Sequence, residues 1–297
     1  MPAPRPRAAR AAVLVALPLL IAAAPPLTAP ATGATWATGH AASPRPATAS
    51  CTTPDIPLGF ALLHDIATAL RDHPATVAVH LDDPASGTTC ELRADRAFDS
   101  ASVIKVTVLG ALLMAAQEEG RRLTSEEAAL ARAMITRSDN ESTSTLWRRL
   151  GVERIEAFRK TAGMTRTVPG ARGAWGLTQT TARDQNALLS LLTTPGSVLT
   201  DASREYALGL LADVVPSQRW GTPAGAPSAA TVRLKNGWLP RRSDGWRVHS
   251  AGTFAVGERR YHLTVLTEDN RDMDGGVAAI EAVSRALHAR LAPAAGG

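Results

Sequence analysis

At 297 residues with 45% apolar content, the chain is long enough to bury one large core or two packed ones, which excludes a disordered protein. Its formal net charge is +5, but residues 1–50 hold four arginines and no acid, so the rest of the chain carries only +1. That balance excludes nucleic-acid binding driven by bulk charge.

In chain order, Arg5, Arg7 and Arg10 precede an apolar run of 13 residues, Ala12 to Ala24, too short to span a bilayer. A basic start, a short apolar middle and small residues beyond predict a secretory signal peptide and an extracytoplasmic product with no stable membrane span. Residues 25–50 are rich in Ala, Pro, Thr and Gly and read as a spacer without a core. Residues 1–50 are therefore set aside, and 51–297 are expected to form the catalytic domain. Cys51 and Cys90 are the only cysteines. In an export context they predict one disulfide, the alternative being two free thiols.

Residues 57–72 carry apolar side chains at helical spacing. Residues 76–93 read as a hairpin turning at Asp83-Pro84-Ala85-Ser86-Gly87. From Val103 to Glu119 apolar residues lie on most sides, the pattern of a buried central helix with Ser102 at its start. Further helices are expected at 124–137, 141–150, 152–160, 181–192 and 202–214, the first opening on the capping sequence Thr124-Ser125-Glu126-Glu127. Residues 231–234, 246–256 and 260–267 read as strands and 276–291 as a closing helix. The expected fold is thus α/β in the α+β sense: an antiparallel sheet of about five strands flanked by helices (51–100 and 215–297), interrupted by an all-helical part (101–214).

Of the 32 basic residues, 29 are Arg and only Lys105, Lys160 and Lys235 are Lys. An ammonium can lose its proton where a guanidinium cannot, so surviving lysines in an arginine-rich chain are candidates for proton handling. Ser102-Val103-Ile104-Lys105 places a hydroxyl and an amine three residues apart on one helix face. Burial there would lower the lysine pKa, and the helix N-terminus would favour a developing oxyanion. Alone, the pattern is equally that of a capping serine and a snorkelling lysine. Ser138-Asp139-Asn140 also suits an ordinary helix-connecting turn, and Lys235-Asn236-Gly237 a tight hairpin.

Taken together and in this order, Ser-x-x-Lys, Ser-Asp-Asn and a Lys-x-Gly on a late strand resemble the serine beta-lactamases and penicillin-binding proteins, most closely the class A beta-lactamases. The resemblance covers about residues 57–290. It implies Ser102 as nucleophile, Lys105 as its base and Ser138 as a relay to the leaving nitrogen. It further implies that Asn140 holds Lys105 or a substrate amide, that Lys235 and Asn236 bind a substrate carboxylate beside Gly237, and that the backbone N–H groups of Ser102 and Trp238 form the oxyanion hole. The implied partner is a small beta-lactam or peptidoglycan-like acyl donor acting on a monomer, with no cofactor and no metal.

Three features depart from that family pattern. Asn236 stands where Thr or Ser is usual. Ser102 and Ser138 are only 36 residues apart, so the loop roofing the pocket is expected to be short. Residues 161–183 contain no Asp or Glu to activate a deacylating water, the nearest being Glu153, Glu156 and Asp184. Three functions follow: a beta-lactamase-like hydrolase, a D-alanyl-D-alanine peptidase or esterase, and a binding protein that captures acyl donors without turnover. Arg241, Arg242 and Arg247 are further candidates for carboxylate binding. His249 is read as a strand-packing imidazole.

Overall fold

The computed structural model describes residues 13–18, 48–241 and 245–291. In chain order the elements are β1 (Val13–Pro18), β2 (Thr48–Thr53), α1 (Ile56–Ala69), β3 (Thr76–Asp83), β4 (Thr88–Leu92), β5 (Phe98–Asp99), α2 (Lys105–Glu118), α3 (Ser125–Thr136), α4 (Asn140–Thr161), β6 (Gln179–Thr180), α5 (Ala182–Thr193), α6 (Asp201–Ala212), β7 (Thr231–Arg241), β8 (Gly245–Val256), β9 (Arg259–Asn270) and α7 (Met273–Leu291).

The sheet runs β1-β2-β4-β3-β9-β8-β7, antiparallel at every pairing. It therefore has more strands than the five expected. Thr48–Thr53, straddling the expected end of the spacer, is a strand whose Ala49, Cys51 and Thr53 turn inward while the intervening residues do not. Small Ala, Ser and Cys carry that alternation weakly, which is why residues 48–50 read as spacer. Val13–Pro18, within the expected leader, pairs along the outer edge of β2. Of residues 1–50 only 13–18 and 48–50 lie among those described. Cys51 and Cys90 face each other across β2 and β4 and are joined, with Cα atoms 4.1 Å apart.

Two apolar clusters flank the molecule's centre. One fills the space between the sheet and α1 and α7, around Leu62, Ile66, Val79, Leu263 and Ile280. The other lies among α2, α3, α4, α5 and α6, around Leu109, Leu112, Met134, Leu146 and Phe158. The stretch Ala101–Glu118 is apolar enough over 18 residues to cross a membrane, yet it is 78% buried within the protein, so its faces are already taken. Its Gly110 is required by packing: a Cβ there would lie 2.1 Å from the Phe158 ring.

The helix ends follow sequence chemistry. Thr124 Oγ1 accepts from Glu127 N at 3.1 Å while Thr124 N donates to Glu127 Oε2 at 2.8 Å, a reciprocal cap on α3. The two helices expected at 141–150 and 152–160 run together as α4 and meet at Gly151, whose φ of 73° breaks the helical path.

Candidate active site

Ser102 lies in a single 3-10 turn, Ala101–Ile104, that leads straight into α2. The turn is entered through Ala101 at φ 47°, in the left-handed region that costs a residue with a side chain about 1 kcal/mol or more. It is held from outside by Ser100 N, which donates to Thr178 O at 2.7 Å, and by the short β5–β6 pair. Gly237 of β7 passes directly against it; a Cβ on that residue would sit 2.7 Å from Ser102 N and 2.9 Å from Val103 N. Lys235-Asn236-Gly237 is therefore strand, not hairpin turn. Strand alternation sends Lys235 and Gly237 toward the helical part and Asn236 away from it.

Lys105 starts α2 and is wholly buried. Its Nζ donates to Ser138 O at 2.6 Å, to Asn140 Oδ1 at 2.8 Å and to Ser138 Oγ at 3.1 Å. Lys235 Nζ, also buried, donates to the same Ser138 Oγ at 3.1 Å and to Asn236 O at 2.8 Å. One hydroxyl thus stands between two amines. Ser138 adopts φ 58° in the link between α3 and α4, and the neighbouring Asp139 caps α4 by accepting from Ser142 N at 2.7 Å. The triplet is a helix-connecting turn and a polar cluster at once. No hydrogen bond joins Lys105 Nζ to Ser102 Oγ among the described residues; Ser102 adjoins the cluster one turn before Lys105.

Burial drives both lysines toward the neutral form. Lys105 is lowered to about 7, the charge of Asp139 opposing the shift. Lys235 is held well below the ordinary lysine value, first by burial and then by repulsion from Lys105. The pair suits a site that accepts a proton and binds an anion.

Asn236 is engaged with the backbone of the segment before β7. Its Nδ2 donates to Gln218 O at 2.9 Å and to Trp220 O at 2.8 Å, and the residue is fully buried, so its amide NH2 group ties β7 to the segment that precedes it. Trp238, partly exposed on the outermost strand, packs against Trp220 with ring centroids 6.0 Å apart. Arg241 and Arg247 meet Asp99 Oδ2 at 3.4 and 3.7 Å, and Arg247 also reaches Glu268 at 3.5 Å. Arg242 lies outside the described residues. His249 is buried, with Nε2 2.8 Å from Asp99 O and Nδ1 accepting from Thr267 N at 3.2 Å, which fixes it as a neutral structural imidazole.

Two of the carboxylates that bound the loop are placed away from the two lysines. Asp184 is buried, and its Oδ2 accepts from Arg166 N at 2.9 Å and Thr167 Oγ1 at 2.7 Å, so it anchors the start of the loop. Glu153 points to solvent from α4. The loop instead contributes a residue that motif reading missed. The Trp175 ring lies over Lys105 Nζ at 4.9 Å, with its Nε1 donating to Ser144 Oγ at 3.1 Å. The available signal was a lone tryptophan in Pro169-Gly170-Ala171-Arg172-Gly173-Ala174-Trp175-Gly176, a segment with no core of its own for an indole to fill.

The chain matches the beta-lactamase enzyme family over residues 61–128 and 126–291. It belongs to that family. No curated protein matches it. Among solved structures, the TLA-3 extended-spectrum beta-lactamase superposes with a TM-score of 0.71 at 14% identity, covering 79% of this chain and 99% of that one. A class A beta-lactamase from Bacteroides cellulosilyticus gives 0.68 at 16%, covering 79% and 98%. PBP-A gives 0.67 at 22%, covering 78% and 96%. At these identities the likeness of this beta-lactamase-family chain to the solved structures is one of fold.

Proposed function

We propose that this beta-lactamase-family protein is an exported serine hydrolase in which Ser102 attacks the carbonyl of a cyclic amide and forms an acyl-enzyme. Neutral Lys105, turned from Ser138 toward Ser102, takes the hydroxyl proton. The Oγ–carbonyl bond forms, the ring C–N bond breaks, and the proton reaches the leaving nitrogen by way of Lys105 Nζ and Ser138 Oγ. The N–H groups of Ser102 and Trp238 would receive the oxyanion, and Lys235 would face the substrate carboxylate. An anion there favours the charged form of Lys235, whose charge in turn keeps Lys105 neutral.

What carries the reading is the pair of buried amines on one hydroxyl, Lys105 and Lys235 each 3.1 Å from Ser138 Oγ, beside a nucleophile turn packed on Gly237. A second reading, a peptidase-like or acyl-trapping protein with slow release, is favoured by the loop 161–183, which has no carboxylate. Export is supported by the basic and apolar start of the chain together with the Cys51–Cys90 bond.

A chromogenic cephalosporin followed by colour and by intact mass separates these readings. Sustained colour is the hydrolase result, and one burst with a lasting adduct on Ser102 is the trapping result. Adduct formation by Ser102→Ala would refute the nucleophile assignment.

A further inference from the structure

Trp175 touches three parts of the site at once. Its ring covers Lys105 Nζ at 4.9 Å, its indole N–H is tied to Ser144 of α4 at 3.1 Å, and its carbonyl accepts from Ser100 Oγ, two residues before the nucleophile, at 3.4 Å. The side chain is only partly buried, so one side of it faces outward while the other closes over the amine. The charged groups facing Lys105 are Asp139 at the start of α4 and Lys235 of β7. The loop itself brings no carboxylate to this side.

We infer that Trp175 is a positioning residue, an indole cap that keeps the Lys105 amine dry and denies water the loop side of an acyl group on Ser102. The second half of this role rests on the acyl-enzyme reading; the first does not. An aromatic face tolerates a nearby cation and still excludes water, so it protects the amine in either protonation state. Acylation needs only the amine and the substrate. Hydrolysis of the ester needs a water that the indole displaces. The cap therefore favours a long-lived adduct and makes the loop, not the nucleophile, the determinant of turnover.

The chain's three lysines make a direct test practicable. In protein labelled with 13C-lysine, the Lys105 side-chain signal, assigned against those of Lys160 and Lys235 by its loss in Lys105→Arg, is titrated by NMR in the wild type, Trp175→Ala and Trp175→Phe. Because burial is the main cause of the lowered value, Trp175→Ala admits water and raises the Lys105 midpoint by about one pH unit, while Trp175→Phe keeps the wild-type midpoint. In the same proteins, the lifetime of the cephalosporin adduct measured by intact mass falls about tenfold for Trp175→Ala and stays near the wild-type value for Trp175→Phe. Equal midpoints in wild type and Trp175→Ala, or equal shifts in both variants, would overturn the cap. An unlabelled wild-type Ser102 would instead overturn the acyl-enzyme reading while the lysine titration still decides the first half.

Discussion

Lys105 and Lys235 cannot both hold a proton comfortably around Ser138 Oγ, because each lies 3.1 Å from it and both are buried. With Lys105 lowered to about 7, its neutral fraction grows as pH rises through that value, so the acylation rate should rise through about pH 7 and then level off. Single-turnover acylation at varied pH measures this; a flat profile from pH 5 to 9 would remove Lys105 from the base role. Lys105→Arg keeps a cation that cannot deprotonate, and acylation should drop about a thousandfold. These residues were legible in sequence because lysine is scarce and three triplets fall in family order. Trp175 was not, since nothing local says which distant side chain an isolated indole will cover. The backbone partners of Asn236 were not legible either, because strand parity, which turns it away from Lys235 and Gly237, appears only once the triplet is placed on β7.

Strand β7 is the element on which the site depends, since it supplies Lys235 on its inner face and runs close to the turn holding Ser102. Gly237→Ala places a Cβ 2.7 Å from Ser102 N, against backbone that cannot rotate aside, so strand and turn must separate. The expected result is a loss of about 1–3 kcal/mol in stability and a larger proportional loss of acylation, read by thermal melting alongside burst kinetics. Asn236→Ala acts on the opposite face. It leaves the carbonyls of Gln218 and Trp220 without their donor and should cost about 1–3 kcal/mol while leaving the substrate carboxylate's affinity nearly unchanged. A large rise in KM with unaltered melting would return Asn236 to the ligand. Helices were readable because their caps and apolar periodicity are local, down to the Thr124–Glu127 reciprocal cap. Strand β2 was not, because its inward Ala49 and Cys51 acquire meaning only from pairing with β4.

Across the whole molecule, the antiparallel sheet is held at one side by Cys51–Cys90, which closes a separation of 39 residues, and loss of that bond should cost about 2–4 kcal/mol. The core also contains imidazoles that the fold keeps neutral. Burial lowers His249 and His262 from 6.5 to about 4 each. Above pH 6.5 neither folded nor unfolded chain protonates them, and their neutrality costs nothing. As pH falls from 6.5 toward 4 the unfolded chain takes up protons that the native state refuses, so stability declines by up to about 1.4 kcal/mol per pH unit for each imidazole. Glu91 acts in the next window. Its hydrogen bond with His80, with help from Arg183, lowers it to about 2 from 4.5, so its contribution is present above pH 4.5 and is lost toward pH 2. Urea unfolding at successive pH values should therefore show a decline beginning near pH 6.5, well before carboxylates titrate. Gln at position 249 can still donate to Asp99 O and accept from Thr267 N, so His249→Gln should remove that imidazole's share of the first decline, leaving the shares of His262 and of His288, which burial also lowers, and leaving the acid limb unchanged. An identical pH profile in wild type and His249→Gln would mean that the imidazole beside Asp99 is not what the native sheet keeps uncharged.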